Sequence, residues 1–460
     1  MKIINHFFLL IFSGLSIFCF SCRKFLEIPA PKNQLVNSTV FTDSAGATSA
    51  VTGIYINMMR TFSLNTGSGG LTLYPGLSAD ELYPTHNLTD ENDFYQNEIA
   101  ANNGLNNSAL WGNAYPILYQ ANACLEGLTQ SHIPVQVKNQ LMGEVQFIRG
   151  FILFNLTNLY GAIPLVLTTD YHQNQILPRS SSDTVYAQII RDLKDARHLL
   201  SANYPTAGRF RPNRFTASAL LAKVYLYQKN WVEADKNATR VIDAGLYSLE
   251  TDLNHVFLSG SNETIWALSP VIPGFETWEG YFFVPVNSHP IPSYVITKTL
   301  LNTFENGDER RQKWLHKVTV AGKDYYYPYK YKLGYDGLST PLESYVVSRL
   351  SEPYLIRAEA RAQEGNLSGA ITDLNLIRKR AGLQNTTSTE QASMLRAIQH
   401  ERQVELFCEW GNRWFDLKRT GKATAVLSVL KPGWQAHDSL YPIPQTELNN
   451  NPFLTQNPGY

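Results

Sequence analysis

The stretch "PGFETWEGYFF" combines aromatic and acidic side chains in the way that carbohydrate binding requires. A sugar ring offers patches of C–H that stack on flat aromatic faces, and hydroxyl groups that need Asn, Asp, Glu or Arg partners. In this stretch Phe275, Trp278 and Tyr281 alternate with Glu276 and Glu279. We take the three aromatic residues and Glu279 as candidate ligand contacts, with Trp278 as the first choice.

A second stretch, "SADELYPTHN", offers a similar combination. It supplies Asp80, Tyr83 and Asn87, which we also take as candidate ligand contacts. Tyr281 and Tyr83 rank next after Trp278. The alternative for each aromatic side chain is burial beneath its own loop, where it would touch no ligand.

The same residues are a poor match to an enzyme. Glu276 and Glu279 could be proposed as the carboxylate pair of a glycosidase, but such pairs flank a cleft from separate elements at set separations. The chain has no HExxH, no GxSxG and no phosphate-binding glycine loop. "DENDFYQNE" lacks the Gly and the final Glu of a calcium loop. We therefore predict no catalytic activity, no metal site and no cofactor.

The start of the chain predicts export and lipidation. A weakly basic start is followed by the apolar run "FFLLIFSGLSIFCF", which is shorter than the roughly 20 residues of a spanning helix. Cys22 directly follows the small residue Ser21, in an arrangement that resembles a bacterial lipobox. This predicts a signal peptide over residues 1–21, lipidation of Cys22, and a tether over residues 22–35. The alternative is an ordinary signal peptide whose cysteines are incidental.

The composition excludes one class of partner and limits covalent cross-linking. Lys plus Arg and Asp plus Glu both total 39, so no basic face is implied for nucleic acid. Only Cys124 and Cys408 lie in the body of the chain, too few for a disulfide framework. A single bridge between them is possible, but we favour two buried free thiols.

Two helical units repeat within the body of the chain. "RFTASALLAKVYLYQKNWVEADKNATRVIDAG" and "EPYLIRAEARAQEGNLSGAITDLNLIRKRAG" superpose with a constant offset. The matched positions are Ala222 with Ala358, Asn230 with Asn366, and Ala234 with Ala370. The spacing of the alanines within each unit is that of the small residues between the two helices of a tetratricopeptide repeat. Because such repeats need neighbours to bury their faces, helical segments near 110–160 and 183–201 are expected to complete the stack.

The body of the chain, residues 36–460, therefore predicts one mainly α domain with insertions. Residues 71–107 and 247–348 are irregular and rich in aromatics and amides, and the second contains short strand-like runs broken by Pro and Gly. Loops of this length on a rigid scaffold are more often functional than decorative.

Two segments near the end carry a family resemblance. "IQHERQVELFCEWGNRWFDLKRTGKA" and "LYPIPQTELNNNPFLTQNPGY" resemble the signature segments of the SusD/RagB-like family, lipid-anchored nutrient-binding proteins of the outer membrane in the Bacteroidota. "RGFILFNLTNLYGAIPLV" and "YLIRAEARAQEGN" are also similar to that family. The resemblance implies a SusD-like fold with four tetratricopeptide-like helix pairs and a loop-rich insertion, and no catalysis. In the first segment we interpret Glu401, Glu405 and Arg402 as charge-paired structural residues, and in the second we expect Tyr441, Phe453 and Tyr460 to anchor an extended tail.

The resemblance also implies a partner and a location. Members of the family cover a SusC-like TonB-dependent transporter, capture oligosaccharides or peptides, and are held by a lipid anchor, here with the protein facing the cell exterior. No signature motif carries the ligand site, so the candidate contacts remain those given above. The competing hypotheses are a tetratricopeptide scaffold that binds peptide or protein partners at the envelope and a secreted glycoside hydrolase. The aromatic, amide-rich insertions interrupt the repeats instead of leaving an open groove, which favours glycan binding.

Overall fold

A row of helices, each packed on the next, is the scaffold of the protein. The computed structural model describes residues 40–60, 69–286, 289–335, 337–338 and 340–460. The predicted signal peptide, Cys22 and the tether lie outside these residues. In chain order the helices are α1 (Ser44–Arg60), α2 (Gly70–Ser78), α3 (Thr89–Gln96), α4 (Gly112–Gln130), α5 (Val135–Tyr160), α6 (Tyr171–Asn174), α7 (Ser182–Leu199), α8 (Arg214–Tyr227) and α9 (Trp231–Ile242). They continue with α10 (Trp278–Phe283), α11 (Lys298–Leu301), α12 (Glu309–Lys313), α13 (Ser351–Gln363), α14 (Leu367–Arg380), α15 (Gln391–Glu405), α16 (Asn412–Arg419), α17 (Ala423–Leu430) and α18 (Gln445–Asn450).

Short antiparallel strand pairs accompany the helices. The pairs are β1 (Leu82–Pro84) with β5 (Tyr294–Ile296), β2 (Ile163–Pro164) with β3 (Arg179–Ser180), β4 (Thr264–Leu268) with β8 (Tyr345–Arg349), and β6 (Leu315–Val320) with β7 (Lys323–Pro328). The largest hydrophobic cluster extends from Val40 to Ile443 and includes Trp266 and Tyr345 of the insertion. The insertion and the helical scaffold therefore share one core.

The two repeat units have the structure that their sequences predict. One is the pair α8 and α9, and the other is the pair α13 and α14. All four alanines of the repeat register are fully buried, because no larger side chain fits where the helices cross. The two matched asparagines are equivalent N-caps. The Asn230 side chain accepts a hydrogen bond from Glu233 N, and the Asn366 side chain accepts one from Gly369 N.

The two units stack directly on each other although the insertion separates them in the sequence. Helix α9 packs against α13. Arg357 of α13 makes a two-point ion pair with Asp373 of α14 and lies 3.9 Å from Asp243, the residue that follows α9. The row α1, α4, α5, α7, α8, α9, α13, α14 and α15 is thus continuous in space. The insertion leaves the stack and returns to it at nearly the same place.

Ion pairs fix the base of the insertion to the end of the scaffold. Arg349, the last residue of β8, is 1% exposed. Its guanidinium donates to Glu263 next to β4, to Glu405 at the end of α15, and to Glu409. The charge-paired structural interpretation of Glu405 is confirmed, with the difference that its partners belong to the insertion as well as to the last helices.

A second buried arginine repeats this arrangement. Arg310 in α12 is fully buried and donates to Asp308, Glu401 and Glu405. Glu401 is therefore paired as the sequence predicts, and Arg402 pairs with Asp416 in α16. Buried charges of this kind are tolerated only when they are paired and hydrogen bonded.

Two features of the fold differ from the sequence prediction. The stretch predicted as irregular at 71–107 contains α2 and α3, and α2 is buried along its whole length despite Pro75. In the tail, Tyr441 is buried as predicted, but Phe453 is 57% exposed, so its predicted role as an anchor is wrong. The tail is helical at α18 just before Phe453 and is not extended throughout as predicted. Cys124 and Cys408 are both buried free thiols, as the sequence favours.

Candidate functional site

A cleft of about 750 Å³ lies between α10, residues 284–286 and 289–294, and the loop 332–335. This volume is within the range of small-molecule sites, roughly 300–1,000 Å³. Residues from the end of β1 to the middle of α3 close its other side. Its walls are mixed in character. Its lining includes the side chains of His86, Glu91, Tyr281, Tyr294, Lys332 and Tyr335.

Two glycines bring the aromatic wall of the cleft together. A Cβ atom on Gly280 would lie 2.0 Å from the carbonyl oxygen of Leu333, and one on Gly334 would lie 2.6 Å from Tyr281 Cα. Real Cβ atoms do not approach so closely, so both positions need glycine for α10 to pack against this loop. The close approach places Tyr281 and Tyr335 on the same cleft, and they are 55% and 71% exposed.

The opposite wall carries hydrogen-bonding groups held by the β1–β5 pair. His86 Nε2 lies 2.5 Å from Glu91 Oε2, and the His86 ring meets Tyr294 edge to face at 5.3 Å. Burial raises the pKa of the Tyr294 phenol, and the nearby Glu91 carboxylate raises it further. The Tyr294 hydroxyl therefore stays protonated.

Lys332 adds a cation to the rim of the cleft. Its Nζ donates to Asn254 Oδ1 at 2.5 Å, and partial burial lowers the pKa of the ammonium. Flat exposed rings next to an imidazole, a carboxylate and an ammonium can stack on a sugar face and bond its hydroxyl groups.

Of the aromatic residues in "PGFETWEGYFF", only Tyr281 presents a large part of its ring to this cleft. Trp278 is 3% exposed and Phe275 is 9% exposed. The Trp278 ring stacks on Phe282 at 5.5 Å and contacts Phe275 at 4.7 Å. Trp278 and Phe275 therefore form the layer beneath Tyr281, from which their centroids lie 6.0 and 5.8 Å away.

The two glutamates of this stretch are buried away from the cleft. Glu276 accepts hydrogen bonds from the backbone N–H groups of Leu342 and Glu343. Glu279 accepts them from the hydroxyl groups of Thr72 and Tyr345, at 2.7 Å each. Burial raises the pKa of Glu279 to about 7. These contacts hold the insertion to α2 and β8, and neither carboxyl group lines the cleft.

The second candidate stretch is divided between the interior and the surface. Asp80 is 2% exposed and makes a two-point ion pair with Arg413. Tyr83 is half-buried on β1, opposite Val295, and burial raises its pKa. Asn87 is exposed and accepts a hydrogen bond from Asn92 at 2.6 Å. The structure brings the neighbour of Asn87, His86, into the cleft.

Sequence reasoning missed Tyr335 and His86. Tyr335 lies in "KLGYDG", where glycines flank a single aromatic residue, a pattern typical of a turn that displays a side chain. His86 lies within the stretch "SADELYPTHN" itself. Both signals are present in the sequence, but neither is specific without the folded arrangement.

The comparisons with known proteins agree with this architecture. A family model described as the SusD family matches residues 319–460, and one described as starch-binding and associating with the outer membrane matches residues 27–226. The whole chain is 26% identical to a SusD-like protein of Formosa agariphila and covers 100% of it. The chain belongs to the SusD/RagB family.

Solved structures of SusD superfamily members have the same fold. One from Bacteroides vulgatus matches with a TM-score of 0.78 and 23% identity, over 92% of this chain and 100% of that one. A laminarin-binding SusD-like protein matches with a TM-score of 0.77 and 23% identity, over 91% of this chain and 100% of that one. The predicted mainly α, SusD-like fold is confirmed. No helix in the described part of this SusD/RagB protein is long and apolar enough to cross a membrane.

Proposed function

We propose that this protein is a lipid-anchored, cell-surface protein that captures an oligosaccharide and delivers it to a SusC-like TonB-dependent transporter. Support comes from the family, whose model is described as starch-binding and associating with the outer membrane, and from the laminarin-binding structural neighbour. The observation that carries the proposal is the pair of exposed tyrosines, Tyr281 and Tyr335, in a cleft that also holds His86, Glu91 and Lys332.

In this proposal the side chains have separate roles. Tyr281 and Tyr335 stack on sugar faces, while His86, Glu91 and Lys332 bond hydroxyl groups. The buried candidate residues position the cleft residues through packing and hydrogen bonds and do not contact the ligand. Trp278 and Phe275 support the ring of Tyr281, Glu279 fixes α10 to α2, and Asp80 and Tyr83 hold the β1 side in place. Asn87 lies at the surface beside His86.

Glycan capture is tested by Tyr281→Ala, measured by isothermal titration calorimetry with a panel of oligosaccharides. A lid needs only millimolar to micromolar affinity, roughly 4 to 8 kcal/mol. We expect the substitution to weaken binding about tenfold or more, because stacking and the burial of the ring are both lost. Tyr281→Phe keeps the ring and should keep most of the affinity.

The matched control is Val232→Ala, a substitution of a side chain that is 64% exposed on α9, far along the chain from the cleft. It should bind like the unchanged protein. If the unchanged protein binds no member of the panel, or if Tyr281→Ala binds as tightly as the control, glycan capture in this cleft is wrong.

The anchor and the transporter are tested on the tagged full chain in its source bacterium. Mass spectrometry of the mature amino terminus should find acyl chains on Cys22. Cys22→Ala should release the protein from the membrane fraction and reduce its co-purification with a TonB-dependent barrel. An unmodified mature terminus, or one that begins elsewhere, contradicts the anchor. A membrane-bound protein that purifies without any barrel contradicts the transporter.

A further inference from the structure

A second aromatic cleft, of about 380 Å³, lies away from α10. It is formed by α4, by the chain from β2 to α6, and by α18 with the residues that follow it. Three tyrosines and four amide side chains supply most of its chemistry: Tyr115, Tyr119, Tyr171, Asn174, Gln175, Asn450 and Asn451. None of these residues was a sequence candidate.

Two of the three tyrosine rings of this cleft are exposed, whereas Tyr115 is partly buried and contacts Trp111 and Pro164. Tyr119 is 53% exposed and Tyr171 is 65% exposed. Across the described residues, neither hydroxyl group makes a hydrogen bond, and the Tyr119 ring stacks on no other ring. The Tyr171 ring packs on His172 at 3.8 Å, which leaves its other face open. Exposed aromatic rings that line one concavity mark a binding surface more often than scattered single rings do.

Specific contacts hold these rings in place. Tyr115 and Tyr119 are four residues apart on α4 and therefore lie on one face of the helix. The loop that carries Tyr171 is fixed to α4 because Glu126 accepts hydrogen bonds from Thr169 N at 2.9 Å and Thr169 Oγ1 at 2.6 Å. Asp170 caps α6 by accepting from His172 N at 2.9 Å. The wall is thus built before any ligand arrives, which lowers the entropic cost of binding.

The chemistry of the cleft fits an uncharged saccharide. Glu447 is the only acidic residue among those that line it, and no lysine or arginine lines it in the described part of the chain. The exposed amides of Gln175 and Asn450 can both donate to and accept from hydroxyl groups. A stable protein partner needs a surface of roughly 800 Å² per side, whereas this feature is a confined concavity of ligand size.

One continuous stretch of chain joins the two clefts. His86, Leu88 and Glu91 line the cleft at α10, and Trp111 at the end of the same stretch lines the second cleft. A polymer of repeated sugar units that is long enough to reach both sites would gain a high effective concentration at the second contact.

We propose that the Tyr119–Tyr171 cleft is a second saccharide-binding site, which makes this protein a two-site binder of polysaccharide chains. This inference rests on the proposed function. It names the class of ligand as an uncharged glycan long enough to reach both clefts.

The test is affinity electrophoresis of the full folded domain in native gels that contain laminarin, soluble starch, xylan or galactomannan. The variants are Tyr119→Ala/Tyr171→Ala, Tyr281→Ala, the combination of all three, and the control Val232→Ala. We expect the double variant to bind the retained polysaccharide about fivefold or more weakly. We expect Tyr281→Ala to leave residual binding, which the triple variant loses. Melting temperatures should match the control, because both tyrosines are surface residues.

The outcomes separate the inference from the function on which it rests. If Tyr281→Ala weakens binding while the double variant binds like the control, the second site is wrong and the first stands. If no polysaccharide retards the unchanged protein, both are wrong. If the double variant keeps full glycan binding but loses a transporter barrel on purification, the cleft docks a protein instead, and the inference is overturned.

Discussion

Glu279 is a buried carboxyl group without a countercharge among the hydrogen-bond partners that the structure gives it. Its Oε1 accepts from Thr72 and Tyr345, while its Oε2 has no partner within the described residues. Removal of a carboxylate from water without a paired cation disfavours the ionised form, so the folded-state pKa of Glu279 rises from 4.5 to about 7. The folded protein therefore holds this proton over a pH range in which the unfolded chain has already released it.

The consequence is a pH-dependent stability term of known sign. With the folded pKa raised, the contribution of Glu279 is fully present below the unfolded pKa and is lost as pH rises through about 7. Glu279→Gln cannot ionise at this position. We therefore expect its unfolding free energy to rise relative to that of the unchanged protein between about pH 5 and about pH 8. The gain in unfolding free energy should be on the order of 3 kcal/mol at most.

Urea unfolding at several pH values measures this difference. Glu364→Gln, at an exposed carboxylate after α13, is the matched control for the same change of side chain. A Glu279→Gln protein whose difference from the unchanged protein does not grow with pH would show that Glu279 ionises normally in the fold.

Of the aromatic residues that the sequence predicts as ligand contacts, Tyr281 lines the cleft, whereas Trp278 lies beneath it. Composition predicts that aromatic and polar groups will meet in these loops. It cannot predict which ring faces outward, because burial of Trp278 depends on Phe282 and on the loop at Leu333 and Gly334, which arrives from elsewhere in the chain.

At the scale of elements, helices with a capped end and a periodic apolar face can be predicted from sequence alone. Asp43 caps α1 through Ala45 N and Gly46 N, and Gly161 ends α5 in a positive-φ conformation. Helix α2 has neither signal. All of its residues are buried, so no polar face marks its period, and Gly70, Pro75 and Gly76 disfavour a helix in isolation. Helix α2 therefore forms because its residues are buried against the rest of the protein, and not because of local sequence preference.

The repeat register makes a prediction about capping. The side chain of Asn366 accepts a hydrogen bond from Gly369 N at 3.0 Å at the start of α14. Asn366→Ala removes this acceptor and should lower the unfolding free energy by about 1 kcal/mol. Asn366→Asp keeps the acceptor and should cost little. Chemical denaturation of both variants measures the difference, and the same pair of substitutions at Asn230 should behave alike. Equal destabilisation by Ala and Asp would contradict the capping role.

At the scale of the whole molecule, Arg349 connects the insertion to the scaffold. Its partners Glu263 and Glu405 are fully buried, so loss of the arginine removes one of the cations that these carboxylates share, and leaves Arg380 paired with both and Arg310 paired with Glu405. Truncation of one member of a buried pair typically costs 3–5 kcal/mol. We therefore expect Arg349→Met to lower stability by about that amount and to do so for the entire chain.

The measurement is thermal unfolding followed by two probes. Far-ultraviolet circular dichroism reports the helices, and tryptophan fluorescence includes the signals of Trp266 and Trp314 in the insertion. In Arg349→Met the midpoint temperatures of both transitions should fall together. In the control Arg396→Met, at an exposed position of α15, both midpoint temperatures should stay unchanged. Two separated transitions in the unchanged protein would mean that the insertion folds independently.

Because the base of the insertion is closed, the residues beyond that base can change in evolution with little effect on the fold. The β4–β8 pair and the Arg349 contacts bring the two ends of the segment together. The entropy of closing a loop grows only with the logarithm of its length, at about 0.6 kcal/mol per doubling. Residues beyond the base can thus be added, deleted or exchanged at small cost to the fold. Selection can remodel the ligand-facing loops for a new nutrient while Glu263 and Arg349 stay constant.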